Sequence, residues 1–84
     1  MKIIHIPASE ILELEIETDG WAEIVRFRVL QGSVSGLPES GRVDVLVDRG
    51  VETFAGSAVI ERTLVANGKR VVLLSIRNPV VTGR

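Results

Sequence analysis

The sequence predicts an all-β protein, a small antiparallel barrel or two-layer sandwich of about six short strands built on two β-hairpins. Three observations carry this expectation. No segment keeps a helical apolar period over roughly ten residues. β-Branched residues dominate the apolar positions. Two long alternating stretches are each interrupted by a dipeptide, Asp19-Gly20 and Asn67-Gly68, of the kind that closes a tight hairpin.

The first hairpin is read from "ILELEIETDGWAEIVRFRVL". Taking Asp19-Gly20 as the two loop residues sets Thr18 opposite Trp21, Leu14 opposite Val25, Leu12 opposite Phe27 and Glu13 opposite Arg26. On that register Trp21 and Phe27 share the apolar face and belong to the core. "AVIERTLVANGKRVVLLSIR" repeats the device, with Ala66 opposite Lys69, Val65 opposite Arg70 and Leu64 opposite Val71. Strict alternation would line one side with Val59, Thr63, Val65, Val72, Leu74 and Ile76, and the other with Ala58, Ile60, Leu64, Val71 and Leu73. A ribbon apolar on both sides needs cover on both sides.

Between the hairpins, "RVDVLVD" alternates Val43, Val45 and Val47 against Asp44, Leu46 and Asp48 and reads as a strand. Arg49-Gly50 then turns it into "VETFA". Lys2 to Ile6 is expected as an initial strand closed by Pro7, and "VVTGR" after Pro79 as a terminal strand or a tail. The segment from Gln31 to Gly41, rich in Gly, Ser and Pro, is the longest connection and the first place to look for function.

Composition bounds the possibilities. The 84 residues make one domain, 1–84. A chain this short buries only about 60–65% of its unfolded surface. With no cysteine there is no disulfide, thiolate metal site or thiol nucleophile. Tight packing or self-association is therefore the expected supplement to a small core. The amino terminus lacks the form of a signal peptide and no window is long and apolar enough for a membrane helix, so the expected location is the cytoplasm, or a virion if the protein is viral. Charge is polarised: residues 1–23 sum to -5 and residues 57–84 to +4.

Asp48-Arg49-Gly50 resembles the active-site loop of retroviral-type aspartic proteases, an acid at a strand end two residues before a glycine. The resemblance fails at Arg49, where that family has Ser or Thr, because a cation beside the acid opposes a shared proton. Asp48 is expected to end its strand in a turn. His5, the sole histidine, has no companion for a zinc site or triad. "GVETFAGS" lacks the lysine of a phosphate loop, and "GSVSG" has Val34 where a nucleophile elbow needs serine. Glu13, Glu15 and Glu17 form a row along one strand, whereas a hard cation needs convergent ligands; a face paired to Arg26 and Arg28 is the simpler expectation.

These readings predict no catalytic site, metal or cofactor. The expected function is non-enzymatic: a small β-module acting by protein association, as a homo-oligomer or as a subunit of a larger assembly such as a virion. Its partner would be itself or another protein subunit. The expected interface is Val59, Val65, Val72, Leu74 and Ile76, rimmed by Arg62 and Arg70, with the acidic first hairpin meeting the basic second one head to tail or across a symmetry axis. The alternative is a β-barrel binding nucleic acid or another polyanion through Arg62, Lys69, Arg70 and Arg77. A core position for Trp21 and a near-neutral net charge of -1 weigh against it.

Overall fold

The computed structural model describes residues 2–83 of the chain. Seven strands make one sheet: β1 (Ile3–Ile6), β2 (Ile11–Asp19), β3 (Ala22–Leu30), β4 (Gly41–Asp48), β5 (Thr53–Ala66), β6 (Lys69–Arg77) and β7 (Val80–Thr82). A single 3₁₀ turn, Ala8–Glu10, links β1 to β2. The strand order is β1-β4-β5-β6-β3-β2, with β7 beside the start of β5. The all-β expectation holds, and the segment after Pro79 is a strand. Among the described residues no helix is long and apolar enough to cross a membrane.

One expectation needs correction: the sheet is mixed. β1 runs parallel to β4, from Ile3 opposite Asp44 to Ile6 opposite Val47, and every other pairing is antiparallel. The consequence is geometric. β1 and β2 are consecutive in the chain yet occupy opposite edges. Across a flat sheet those edges would lie about 24 Å apart, at about 4.8 Å per strand. The link from Ile6 to Ile11 can reach at most about 18 Å. The sheet must therefore curl until its edges approach. No hydrogen-bonded ladder joins β1 to β2 among the described residues, so the sheet stays open.

The concave side of the curl is the core. Val25, Phe27 and Val29 of β3, Val45 and Val47 of β4, and Ile4 and Ile6 of β1 fill it with Phe54, Ala58, Ile60, Val72, Leu74 and Ile76. These are alternate residues on each strand, as a half-buried sheet demands. Val34 is buried too, so the Gln31 to Gly41 connection contributes an apolar plug at one end of the core, with Leu37 partly buried beside it.

In the first hairpin the register lies two residues from the expected one. Asp19 pairs with Ala22, Ile16 with Val25, Glu15 with Arg26 and Leu14 with Phe27, which makes Gly20-Trp21 the loop. Of these two, Gly20 alone has positive φ (63°), as in a turn that needs glycine only at its first central position. A shift of two preserves the faces, because strand side chains repeat every second residue. Phe27 thus stays in the core, while Trp21 moves from a strand face to the turn and is fully exposed. A bulge between Ile11 and Glu13 takes Leu12 out of the ladder, so it does not pair with Phe27.

The second hairpin keeps the expected register at its tip, with Ala66 opposite Lys69, Val65 opposite Arg70 and Leu64 opposite Val71. Asn67 and Gly68 both adopt positive φ, 53° and 76°. Lower down, a bulge at Glu61 breaks the alternation, since Ile60 faces Leu74 and Arg62 faces Leu73. Ala58 and Ile60, not Val59, therefore join Val72, Leu74 and Ile76 in the core. The opposite side is explained as well: Leu30, Val71 and Leu64 stand in register across three strands as a short apolar strip. Because β4 begins at Gly41 opposite Ile60, β5 beyond that point has no neighbour on its β4 side. Residues 61–73 consequently extend past β4 as an arm, three-stranded with β3 as far as Val71 and two-stranded only beyond it.

Three substitutions separate these roles by chemical denaturation. Leu74→Ala is expected to cost about 2–5 kcal/mol, as deletion of a fully buried side chain does. Gly56→Ala is expected to cost about 1–3 kcal/mol through overpacking, because the added Cβ would lie 2.8 Å from the Cγ2 of buried Ile76. Trp21→Ser should leave the midpoint unchanged; a loss comparable with that of Leu74→Ala would return Trp21 to the core.

Candidate functional site

The outer, convex face of the sheet carries the charged chemistry. Register builds it in rows. Arg42 on β4 stands opposite Val59 on β5, Val59 opposite Ser75 on β6, Ser75 opposite Arg26 on β3, and Arg26 opposite Glu15 on β2. One row away, Asp44 faces Ser57, and Arg77 faces Ile24, which faces Glu17. On the other side, Arg62 faces Leu73, Leu73 faces Arg28, and Arg28 faces Glu13.

Cations near the β2 edge are neutralised. Arg26 forms ion pairs with Glu17 and, at 3.4 Å, with Glu61 of the bulge, and Arg28 lies 3.6 Å from Glu13. The hydrogen bond and charge of Glu17, with a smaller share from Glu61, raise the Arg26 pKa above its ordinary value. Arg42, Arg62, Lys69 and Arg77 have no ion-pair partner among the described residues. A cleft of about 540 Å³ opens where short side chains form the floor and long ones the rim: Ser57 and Ser75 lie between Arg42, Arg77 and the Arg26–Glu61 pair.

The residues expected at an interface separate into two groups. Val72, Leu74 and Ile76 are at most 2% exposed and fill the core of a single chain. They are thus spent on folding and present no surface to a partner. Val59 is half-buried on the outer face, whereas Val65 is 73% exposed on the arm beside exposed Arg62 and Arg70. Of the alternative anion-binding set, Arg62, Lys69 and Arg77 share the outer face, and Arg70 alternates with them onto the other side. Arg42, Ser57 and Ser75 were missed. A signal for Arg42 existed in the alternation of "RVDVLVD", which turns Arg42 outward once Val43, Val45 and Val47 turn inward.

The remaining candidates have local explanations. Asp48 ends β4 and its Oδ1 accepts the Gly50 N–H at 2.8 Å, as in an Asx turn. Arg49 pairs with Glu52 at 2.9 Å rather than with Asp48. His5 Nε2 lies 3.8 Å from Asp48 Oδ2 on the exposed side of β1. Among the described residues no three His, Asp or Glu side chains converge as a metal site requires.

Comparison with known proteins finds no match: no family model, no curated protein and no solved structure.

The Arg26 link between β2 and the Glu61 bulge is solvent-exposed, so salt should screen its contribution. Arg26→Gln is expected to lower the melting temperature slightly at low ionic strength, and the difference from wild type should vanish in molar salt. A difference that persisted there would show that Arg26 acts through packing of its aliphatic stem.

Proposed function

We propose that the chain is a non-enzymatic β-module that works by protein association, as a homo-oligomer or as a subunit of a larger assembly, by adding strand to strand at its free edges. The observation that carries this reading is β2. It is nine residues long, pairs on one side only, and leaves Leu12 and Ile16 54% and 46% exposed. β1, at four residues, is too short to cover it. A long edge strand with exposed apolar side chains is a template for another strand.

Charge selects the partner edge. Two β2 strands pairing antiparallel would set their glutamates against one another, which is repulsive. The arm offers the complement, since β5 beyond Ile60 is unpaired on its β4 side and carries Arg62 and exposed Val65. β2 of one copy pairing with the arm of the next would bring Glu15 near a cation and cover Leu12, Ile16 and Val65. Such a contact is head to tail, and it closes into a ring or runs on as a filament.

Light scattering after size exclusion tests this. Wild type is expected at a multiple of 9.1 kDa, and Ile16→Lys or Val65→Glu alone should give a folded monomer. Glu15→Arg and Arg62→Glu should each weaken the assembly, and the double variant should restore it. A wild-type monomer at every concentration would overturn self-association.

A second reading has its own support. Arg62, Lys69 and Arg77 share the outer face with Arg42, and Trp21 is a fully exposed aromatic of the kind on which bases stack. Binding of a single-stranded oligonucleotide that weakens steeply with salt would favour it.

A further inference from the structure

We infer that the outer-face cleft is a binding site for a small phosphorylated molecule, with Arg42 and Arg77 as the anion-binding residues and Ser57 and Ser75 as hydroxyl donors on its floor. The inference shares Arg42 and Arg77 with the polyanion reading but stands without it, because it rests on a cleft and not on a charged stripe.

Four observations converge. The cleft, at about 540 Å³, has the size of a small-molecule site and exceeds what a bare inorganic ion fills. Arg42 and Arg77 enter it from different strands, β4 and β6, so two guanidinium groups approach from different sides. Neither has an ion-pair partner among the described residues, whereas Arg26 and Arg28 on the same face are both paired to glutamates. Ser57 and Ser75 also line the cleft, and no side-chain hydrogen bond engages either hydroxyl among the described residues.

Chemistry narrows the ligand. A planar carboxylate offers two oxygens, which one guanidinium fork can satisfy. Two guanidiniums and two hydroxyls together match the three terminal oxygens of a phosphate monoester better. Arg26 completes the rim in a cluster with Glu17 and Glu61 that carries one net negative charge, so the attraction for an anion falls to Arg42 and Arg77 alone. Asp44, opposite Ser57, is the acid on β4 closest to the floor, and it is joined to neither free arginine by an ion pair among the described residues. Its charge opposes an anion beside Ser57 and favours the row of Arg42, Val59 and Ser75 for the phosphate. The face holds these groups on adjacent strands of a sheet, a rigid frame for a preorganised site.

Calorimetric titration with sodium pyrophosphate at low ionic strength tests the site, using wild type, Arg42→Gln/Arg77→Gln and Arg62→Gln/Lys69→Gln, each checked for folding by circular dichroism. Wild type should bind, the Arg42/Arg77 pair should lose at least about tenfold in affinity, as removal of charge-assisted bonds does, and the Arg62/Lys69 pair should stay within about twofold of wild type. Failure of wild type to bind, or equal losses in both pairs, would overturn the site. Malonate binding as tightly as pyrophosphate would overturn the phosphate assignment. An oligonucleotide that binds through Arg62 and Lys69 while pyrophosphate does not bind would also overturn the site, and would leave the polyanion reading standing.

Discussion

The bulge at Glu61 is the constraint on which the rest of this molecule depends. Among the described residues β5 is the longest strand, at 14 residues, and the only one that pairs with three others. Without an extra residue its alternation would carry Val59 and Val65 to one side and Ala58 and Leu64 to the other along its whole length. Inserting Glu61 resets the alternation halfway. Below it, Ala58 and Ile60 meet Leu74 and Ile76 in the core; above it, Arg62 turns to the outer face and the arm begins. The side chain of the bulged residue is itself used, because Glu61 reaches Arg26 on β3 across β6.

From that one irregularity the division of labour follows. The inner face is wholly apolar where it is buried, and no charged or polar residue is buried among the described residues. All electrostatic specificity is therefore displaced to the outer face, the edges and the arm. Toward β2 the face is neutralised by acid–base pairs, and toward β4 and β6 it is left cationic. This polarity mirrors the charge asymmetry of the chain, since the acidic amino-terminal strand β2 lies at one edge and the basic carboxy-terminal hairpin in the middle.

The curl of the sheet links these features to the proposed association. Edges brought together by a short link but not paired remain open to other strands, and a cleft of about 220 Å³ lined by Ala8, Leu12 and Arg49 lies between that link, β2 and the turn after β4. A closed barrel of the same strands would have hidden the backbone groups of β2. The open form keeps them exposed at the cost of aggregation risk, which the row of Glu13, Glu15 and Glu17 along that strand counters by repelling a second copy of itself.

Sequence alone determined what local chemistry controls. Alternation and turn residues were enough for the all-β class, for the Asn67-Gly68 hairpin in its correct register, for the strand ending at Asp48 and for the core role of Phe27. Tertiary structure decided where neighbouring strands compete. Asp19-Gly20 and Gly20-Trp21 are both workable loops that keep the same faces, so local pattern could not choose between them. The partners available to Arg26, which bridges Glu17 and Glu61, come from two other strands, and strand pairing places them. The Glu61 bulge is likewise invisible to a period-two reading, because an inserted residue shows itself only when the strands on either side fix which neighbours must face the core. That single parity change set Ala58 and Ile60, and not Val59, beside Leu74 and Ile76, while pairing with Val25, Phe27 and Val29 of β3 placed Val72, Leu74 and Ile76 in the interior. The same folding brought Arg42 and Arg77, 35 positions apart in the chain, to one cleft, because only the pairing of β4, β5 and β6 sets them side by side.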